Sequence, residues 1–149
     1  MGRKAHLAAA AVMAAASLSP VAAAPTDACK LLTPAQVSAA AGVQVGAGTY
    51  VTPTFTRTCT WTASGTIVTL YLQPPGLFDA GRSAMAPGTT ITPVAGVGAD
   101  AYYRVMGSII ELMVRKGDAS FKVTIYSKAP IDSRKAAERT LALRVASEL

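Results

Sequence analysis

Histidine is almost missing from this 149-residue chain, and the single imidazole, His6, stands in a stretch that reads as removable. Arg3, Lys4 and His6 precede an Ala-rich apolar run from Leu7 to Leu18, then a Ser-Pro break and the small residues Val21 to Ala24. Those are the charged, apolar and small-residue zones of a secretory signal. The run is too short to span a bilayer, which makes a retained anchor the weaker alternative. Cleavage is expected after Ala23, giving a signal peptide over 1–23 and a mature chain over 24–149 that has no histidine. Ser-His and Cys-His nucleophile pairs and a histidine general base are then excluded. The commonest ligand of zinc, copper and non-haem iron goes with them.

Cysteine is scarce too, with only Cys29 and Cys59. Two thiolates do not complete a zinc site, and their separation makes no C-x-x-C redox motif. A lipid anchor on Cys29 would need an apolar, small-residue lipobox directly before it, where the chain has Thr26-Asp27-Ala28. In an exported chain an even pair of cysteines is most simply a disulfide, and closing a loop of about thirty residues stabilises by roughly 3 to 4 kcal/mol.

Charge is sparse, at 15% of residues, with 14 basic and 8 acidic side chains. Losing Arg3 and Lys4 leaves 12 against 8, a net +4. Nucleic-acid binding needs clustered cations interleaved with stacking aromatics, and no such cluster is present. Arg115, Lys116, Lys135 and Arg139 could still meet anionic envelope polymers. The acids are scattered, and nothing in the sequence pairs two of them as glycoside hydrolysis requires. Internal repeats, charged tails and a second hydrophobic cluster are likewise missing.

What the chain does have is regular patterning. Thr33-Pro34-Ala35-Gln36 reads as a helix start, with Thr33 as cap, Leu32 and Val37 at the staple positions, and Gly42 as the stop. Thr58 to Thr62 alternates Cys59 and Trp61 on one face with threonines on the other. Ser64-Gly65 turns it into Ile67 to Leu72, so the two strands are expected to form a hairpin that Cys29 ties to the first helix. Leu77 to Met85 suggests a short helix with Leu77, Gly81, Ala84 and Met85 inward. Asp100 to Met106, Ile109 to Arg115 and Ser120 to Ser127 read as a meander, with Ile110/Leu112/Val114 and Phe121/Val123/Ile125 inward. Asp132 is expected to cap a final helix burying Leu141, Val145 and Leu149, with Lys135 and Arg139 on its other side. The fold class is therefore α+β: a single antiparallel sheet of about five strands with the N-terminal and C-terminal helices packed on one face.

Several of these segments also form a recognisable set: Asp27-Ala28-Cys29-Lys30-Leu31-Leu32-Thr33-Pro34, Cys59-Thr60-Trp61, Gly96 to Tyr103, and Val114-Arg115-Lys116-Gly117-Asp118. Together they resemble a family of exported bacterial proteins of unknown function, many of them actinobacterial envelope lipoproteins. The resemblance implies an exported disulfide-containing domain and transfers no catalytic residue. This chain departs from such lipoproteins in having no lipobox.

Motifs that could carry chemistry are weak. Gly96-x-Gly98-x-x-Ala101 loosely matches a dinucleotide fingerprint, but it leads into the β-rich Tyr102-Tyr103-Arg104-Val105 instead of a helix. Ser127-Lys128 and Ser133-Arg134-Lys135 place hydroxyls beside amines, yet neighbours in sequence do not face each other on a strand or helix. No catalytic residue, metal ligand or cofactor site is assigned. The expectation is a non-enzymatic ligand- or protein-binding module, periplasmic or secreted, whose partner is an envelope protein or small ligand. Its candidate binding face is the sheet face opposite the helices, with Thr58, Thr60, Thr62, Thr69, Tyr71, Lys122 and Tyr126, flanked by Glu111, Met113 and Thr124. Alternatives are a hydrolase-like enzyme whose Ser, Lys and carboxylate groups assemble only in the fold, and a subunit of an envelope complex.

Overall fold

Interlocking caps open the described part of the chain. In the computed structural model, which describes residues 25–83 and 86–149, Asp27 accepts a hydrogen bond from the Cys29 N–H at 3.1 Å and starts a 3-10 turn over Ala28–Lys30. The same carboxylate accepts the Tyr50 hydroxyl at 2.9 and 3.0 Å. Helix α1 (Pro34–Ala41) begins with the expected capping box: the Gln36 N–H donates to the Thr33 hydroxyl, and the Thr33 N–H to the Gln36 side-chain oxygen. Leu32 and Val37 are both buried. Gly42 takes a left-handed conformation, φ 69°, and ends the helix with its N–H on the Ser38 carbonyl. The expected signal peptide lies outside the described residues.

The elements that follow are β1 (Thr49–Tyr50), β2 (Thr58–Ala63), β3 (Thr66–Gln73), α2 (Gly76–Ser83), β4 (Thr89–Pro93), β5 (Asp100–Met106), β6 (Ile109–Lys116), β7 (Ala119–Tyr126) and α3 (Ile131–Glu148). All strands join one antiparallel sheet in the order β1-β2-β3-β7-β6-β5-β4. Two meanders, β1 to β3 and β4 to β7, meet where β3 pairs with β7 from Ile67↔Tyr126 to Gln73↔Ser120. The sheet thus has seven strands and not about five. The two unforeseen strands are its edges: β1 is two residues long, and β4 (Thr-Thr-Ile-Thr-Pro) buries only Thr89. Edge strands carry little apolar alternation, which is the signal by which strands are read in sequence.

The main core lies between the sheet and the terminal helices. Cys59, Trp61, Val68, Leu70, Leu72, Ile110, Leu112, Val114, Phe121, Val123 and Ile125 pack there with Val37 of α1 and Leu141 and Val145 of α3. Helix α3 lies across β6 and β7, and α1 leans on α3. The Cys29–Cys59 disulfide, S–S 2.04 Å, ties the 3-10 turn to β2. Beside it the Ala28 N–H donates to the Thr56 carbonyl at 2.8 Å.

Two helix expectations need correction. Asp132 does not cap α3; Pro130 holds the cap position, because Ile131 already has helical geometry and the Arg134 N–H closes on the Pro130 carbonyl at 3.1 Å. Helix α2 sits on the opposite face of the sheet from α1 and α3. Its inward residues are Phe78 and Gly81, with Leu77 exposed; Ala84 and Met85 lie outside the described residues. Against the expectation of no second hydrophobic cluster, Phe78 forms a small one with Tyr102 and Met113 on this face, with the Phe78 and Tyr102 rings packing edge-on at 5.0 Å. One apolar turn was enough to dock the helix where β5 and β6 present apolar side chains outward.

Helix α3 also buries charge. The register between β6 and β7 runs from Lys116↔Ala119 to Leu112↔Val123, so the far ends of the two strands separate. Into that opening α3 projects Glu138, fully buried, whose Oε1 accepts the Ile125 N–H at 2.9 Å. Arg134, one turn earlier, donates to the Ser108 carbonyl at 2.8 Å. Glu138 Oε2 and Arg134 Nε have no partner among the described residues. Burial pushes the Glu138 carboxyl up to about 8, against the opposing pull of the Ile125 hydrogen bond and the Arg134 charge. Tyr103, whose hydroxyl donates to the Lys135 carbonyl at 2.6 Å, is pushed up to about 12 by burial and by Glu138.

Candidate functional site

Strand alternation puts Cys59 and Trp61, and with them the other inward sets, on the helix side. The remaining side chains form the outer face. Register groups them into rungs: Thr58↔Tyr71↔Lys122↔Met113↔Tyr102, and one step along, Thr49↔Thr60↔Thr69↔Thr124. A third pairs Thr62↔Ile67↔Tyr126. All seven expected face residues, Thr58, Thr60, Thr62, Thr69, Tyr71, Lys122 and Tyr126, therefore share one surface. Tyr126 is 59% exposed, the most open of the large side chains on this face. Among the described residues, the hydroxyls of Thr58, Thr60, Thr62, Thr69 and Thr124 form no hydrogen bond within the chain and face solvent; Thr49 donates to the Thr60 carbonyl.

Helix α2 divides this face in two. It packs over β6, the near end of β7 and Tyr102 of β5, leaving β2, β3 and the rest of β7 open. It is held down by the Tyr102 hydroxyl, which donates to the Phe78 carbonyl at 2.7 Å, and by the glycine at position 81: a Cβ there would fall 2.7 Å from the Tyr102 hydroxyl and 3.0 Å from Met113 Cε. Arg82 and Arg115 flank Phe78 with their guanidinium carbons 5.0 and 4.9 Å from its ring centre. They are matched by two acids. Arg82 pairs with Asp100 at 2.9 Å, and Arg115 reaches Asp79 and Asp100 at 3.4 and 3.5 Å. The Arg82 hydrogen bond holds the Asp100 carboxyl below its ordinary value.

At the boundary between the covered and open halves lies a charge cluster that sequence reasoning did not assemble. Glu111 on β6 is buried and accepts from Arg104 Nε at 2.7 Å and from Arg104 Nη2 with one oxygen, and from Lys122 Nζ at 2.5 Å with the other. Burial pushes this carboxyl up, but the hydrogen bonds and charges of Lys122 and Arg104 outweigh it and leave it below its ordinary value. A cleft of about 310 Å³ opens here, walled by Tyr71, Gln73, Leu77, Gly81, Arg104 and Lys122. Lys122 and Tyr71 were expected on the face. Arg104 was not, although cross-strand pairing of Arg104↔Glu111 by a two-residue turn at Gly107-Ser108 was available as a signal.

Elsewhere the arrangement is plainer. A larger hollow of about 660 Å³ between α1 and α3 is walled chiefly by alanines, including Ala35, Ala39, Ala136 and Ala137, with no converging charged groups. The four basic residues read as a possible polymer contact are dispersed: Arg115 serves α2, Lys116 donates to the Ala146 carbonyl near the end of α3, Lys135 lies 5.4 Å from the Tyr103 ring centre, and Arg139 donates to the Ala95 carbonyl at 2.9 Å. The Gly96-x-Gly98 stretch is a loop leading into β5. No group of three or more His, Cys, Asp or Glu side chains converges among the described residues, and no described helix is long and apolar enough to cross a membrane. No family model, curated protein or solved structure matches the chain.

Proposed function

We propose that the protein is an exported, non-enzymatic binding module of the cell envelope, and that its ligand-contacting surface is the half of the outer sheet face left open by α2. The observation that carries this reading is the in-register threonine ladder Thr49↔Thr60↔Thr69↔Thr124, in which the Thr60, Thr69 and Thr124 hydroxyls are free within the chain, flanked along the strands by Tyr71 on one side and Tyr126 on the other. Free hydroxyls donate and accept in any direction, and aromatic rings add apolar contact area with little loss of side-chain freedom. Tyr71 and Tyr126 sit four residues apart along the register, about 14 Å. The four strands span a similar width, room for an extended segment of about four residues or a short glycan. The disulfide is compatible with work in an oxidising compartment.

The test is co-sedimentation of residues 24–149 with insoluble cell-wall glycan, paired with crosslinking in the intact envelope. Thr69→Lys places a long cation in the middle of the ladder on a solvated position, and Tyr126→Ala removes the exposed ring. Wild type retained or crosslinked, with both variants depleted at unchanged thermal stability, supports the face. Equal capture of wild type and variants in both assays refutes it.

A further inference from the structure

The charges on the outer face do not balance evenly. Around α2, Arg82 and Arg115 are met by Asp79 and Asp100, two against two. At the cleft, Arg104 and Lys122 share Glu111 alone, two cations on one carboxylate. All three side chains are largely withdrawn from water, at 19%, 23% and 8% exposure. A partly desolvated surplus charge is costly unless an opposite charge or hydrogen-bond acceptors meet it.

The surplus points into the cleft. Arg104 spends Nε and Nη2 on Glu111, while its Nη1 lies 3.6 Å from where a Cβ on Gly81 would be, on the α2 wall of the cleft. Lys122 Nζ has three protons and gives one to Glu111. The remaining walls are mainly apolar, Leu77, Ala80, Met113 and the Tyr71 ring, with the buried amide side chain of Gln73 among them. Converging donors beside apolar walls, in a volume at the lower end of small-molecule sites, form the usual pattern of a ligand pocket.

We propose that this cleft binds a small amphiphilic monoanion, with its carboxylate between Arg104 Nη1 and Lys122 Nζ and its apolar body along Leu77, Met113 and Tyr71. The proposal rests on the reading of the outer face as the ligand-contacting surface and names the chemistry of one part of it. One bound carboxylate brings the cluster to neutrality. Charge-assisted bonds from both cations orient it.

Two-dimensional amide NMR of the mature chain, titrated separately with octanoate, octanol and octylammonium, tests the idea. Octanoate is expected to shift amides of Leu77, Gly81, Met113 and Lys122, octanol to bind at least tenfold more weakly, and octylammonium to leave them unmoved. Lys122→Met keeps the Arg104–Glu111 pair intact, leaves the cleft neutral and should weaken octanoate at least tenfold. Leu77→Ser, on an exposed wall position, removes apolar contact without adding charge to the cleft and should weaken octanoate severalfold. Equal affinity for octanol and octanoate, an unchanged Lys122→Met, or no shift at millimolar octanoate overturns the proposal. Because Thr69→Lys lies outside the cleft, its effect on envelope capture reports on the wider face separately: capture lost in Thr69→Lys with octanoate inert leaves the face reading standing and this one refuted.

Discussion

Replacing Glu138 by glutamine should change how stability depends on pH. The carboxyl is fully buried, and burial raises it from 4.5 to about 8 in the folded chain. The groups around it do not offset that cost. Arg134 lies on its own helix, Tyr103 on β5 and Glu111 on the far side of β6, and of these only the arginine, with Lys135 as a minor aid, favours the ionised form. A group whose folded pKa is raised holds its proton in the native state after the unfolded chain has released it. Stability then falls as pH rises from the unfolded value through the folded one and levels off above it. At 1.36 kcal/mol per unit, the loss from Glu138 alone is about 4 kcal/mol between pH 5 and pH 9. Glutamine keeps an oxygen for the Ile125 N–H and does not titrate. Urea unfolding of wild type and Glu138→Gln at pH 5, 7 and 9, with groups common to both cancelling in the difference, should show near-equal stabilities at pH 5. At pH 9 the variant should be ahead by a few kcal/mol. Parallel pH profiles, or a variant weaker at pH 9, would refute the assignment of a buried, proton-holding carboxyl.

Two further outcomes follow from the packing. Replacing both Cys29 and Cys59 by alanine opens a link across 30 residues and should cost about 3 to 4 kcal/mol; reducing the wild type should lower its Tm to match the double variant. Gly48 lets the loop before β1 lie flush on that disulfide, since a Cβ there would sit 2.6 Å from Cys59 Sγ and 2.7 Å from Trp61 Nε1. Gly48→Ala should cost about 1 to 3 kcal/mol as an overpacked core position, with a shifted Trp61 fluorescence maximum; unchanged denaturation and emission would show that the loop moves freely.

Local chemistry by itself determined much of this molecule. The capping box at Thr33 and Gln36, the stop at Gly42, the alternation through Cys59-Thr60-Trp61 and the turns at Gly65, Gly107 and Gly117 all stand where neighbouring residues put them. Each depends on groups only a few positions apart, so short-range pattern suffices. The seven residues of the candidate face follow from that same period of two. Tertiary structure decided the rest, because it depends on groups that sequence separates widely. Edge strands β1 and β4 exist through their partners' backbone hydrogen bonds, without an apolar signal of their own. Helix α2 crossed to the outer face because Tyr102 and Met113 point outward to receive Phe78. Glu138, on the buried side of α3, fills an opening where β6 and β7 part. The union of Arg104, Glu111 and Lys122 needed the pairing of β5 with β6 and of β6 with β7. Composition shows the charges; only the register places two cations over one buried acid beside an open cleft.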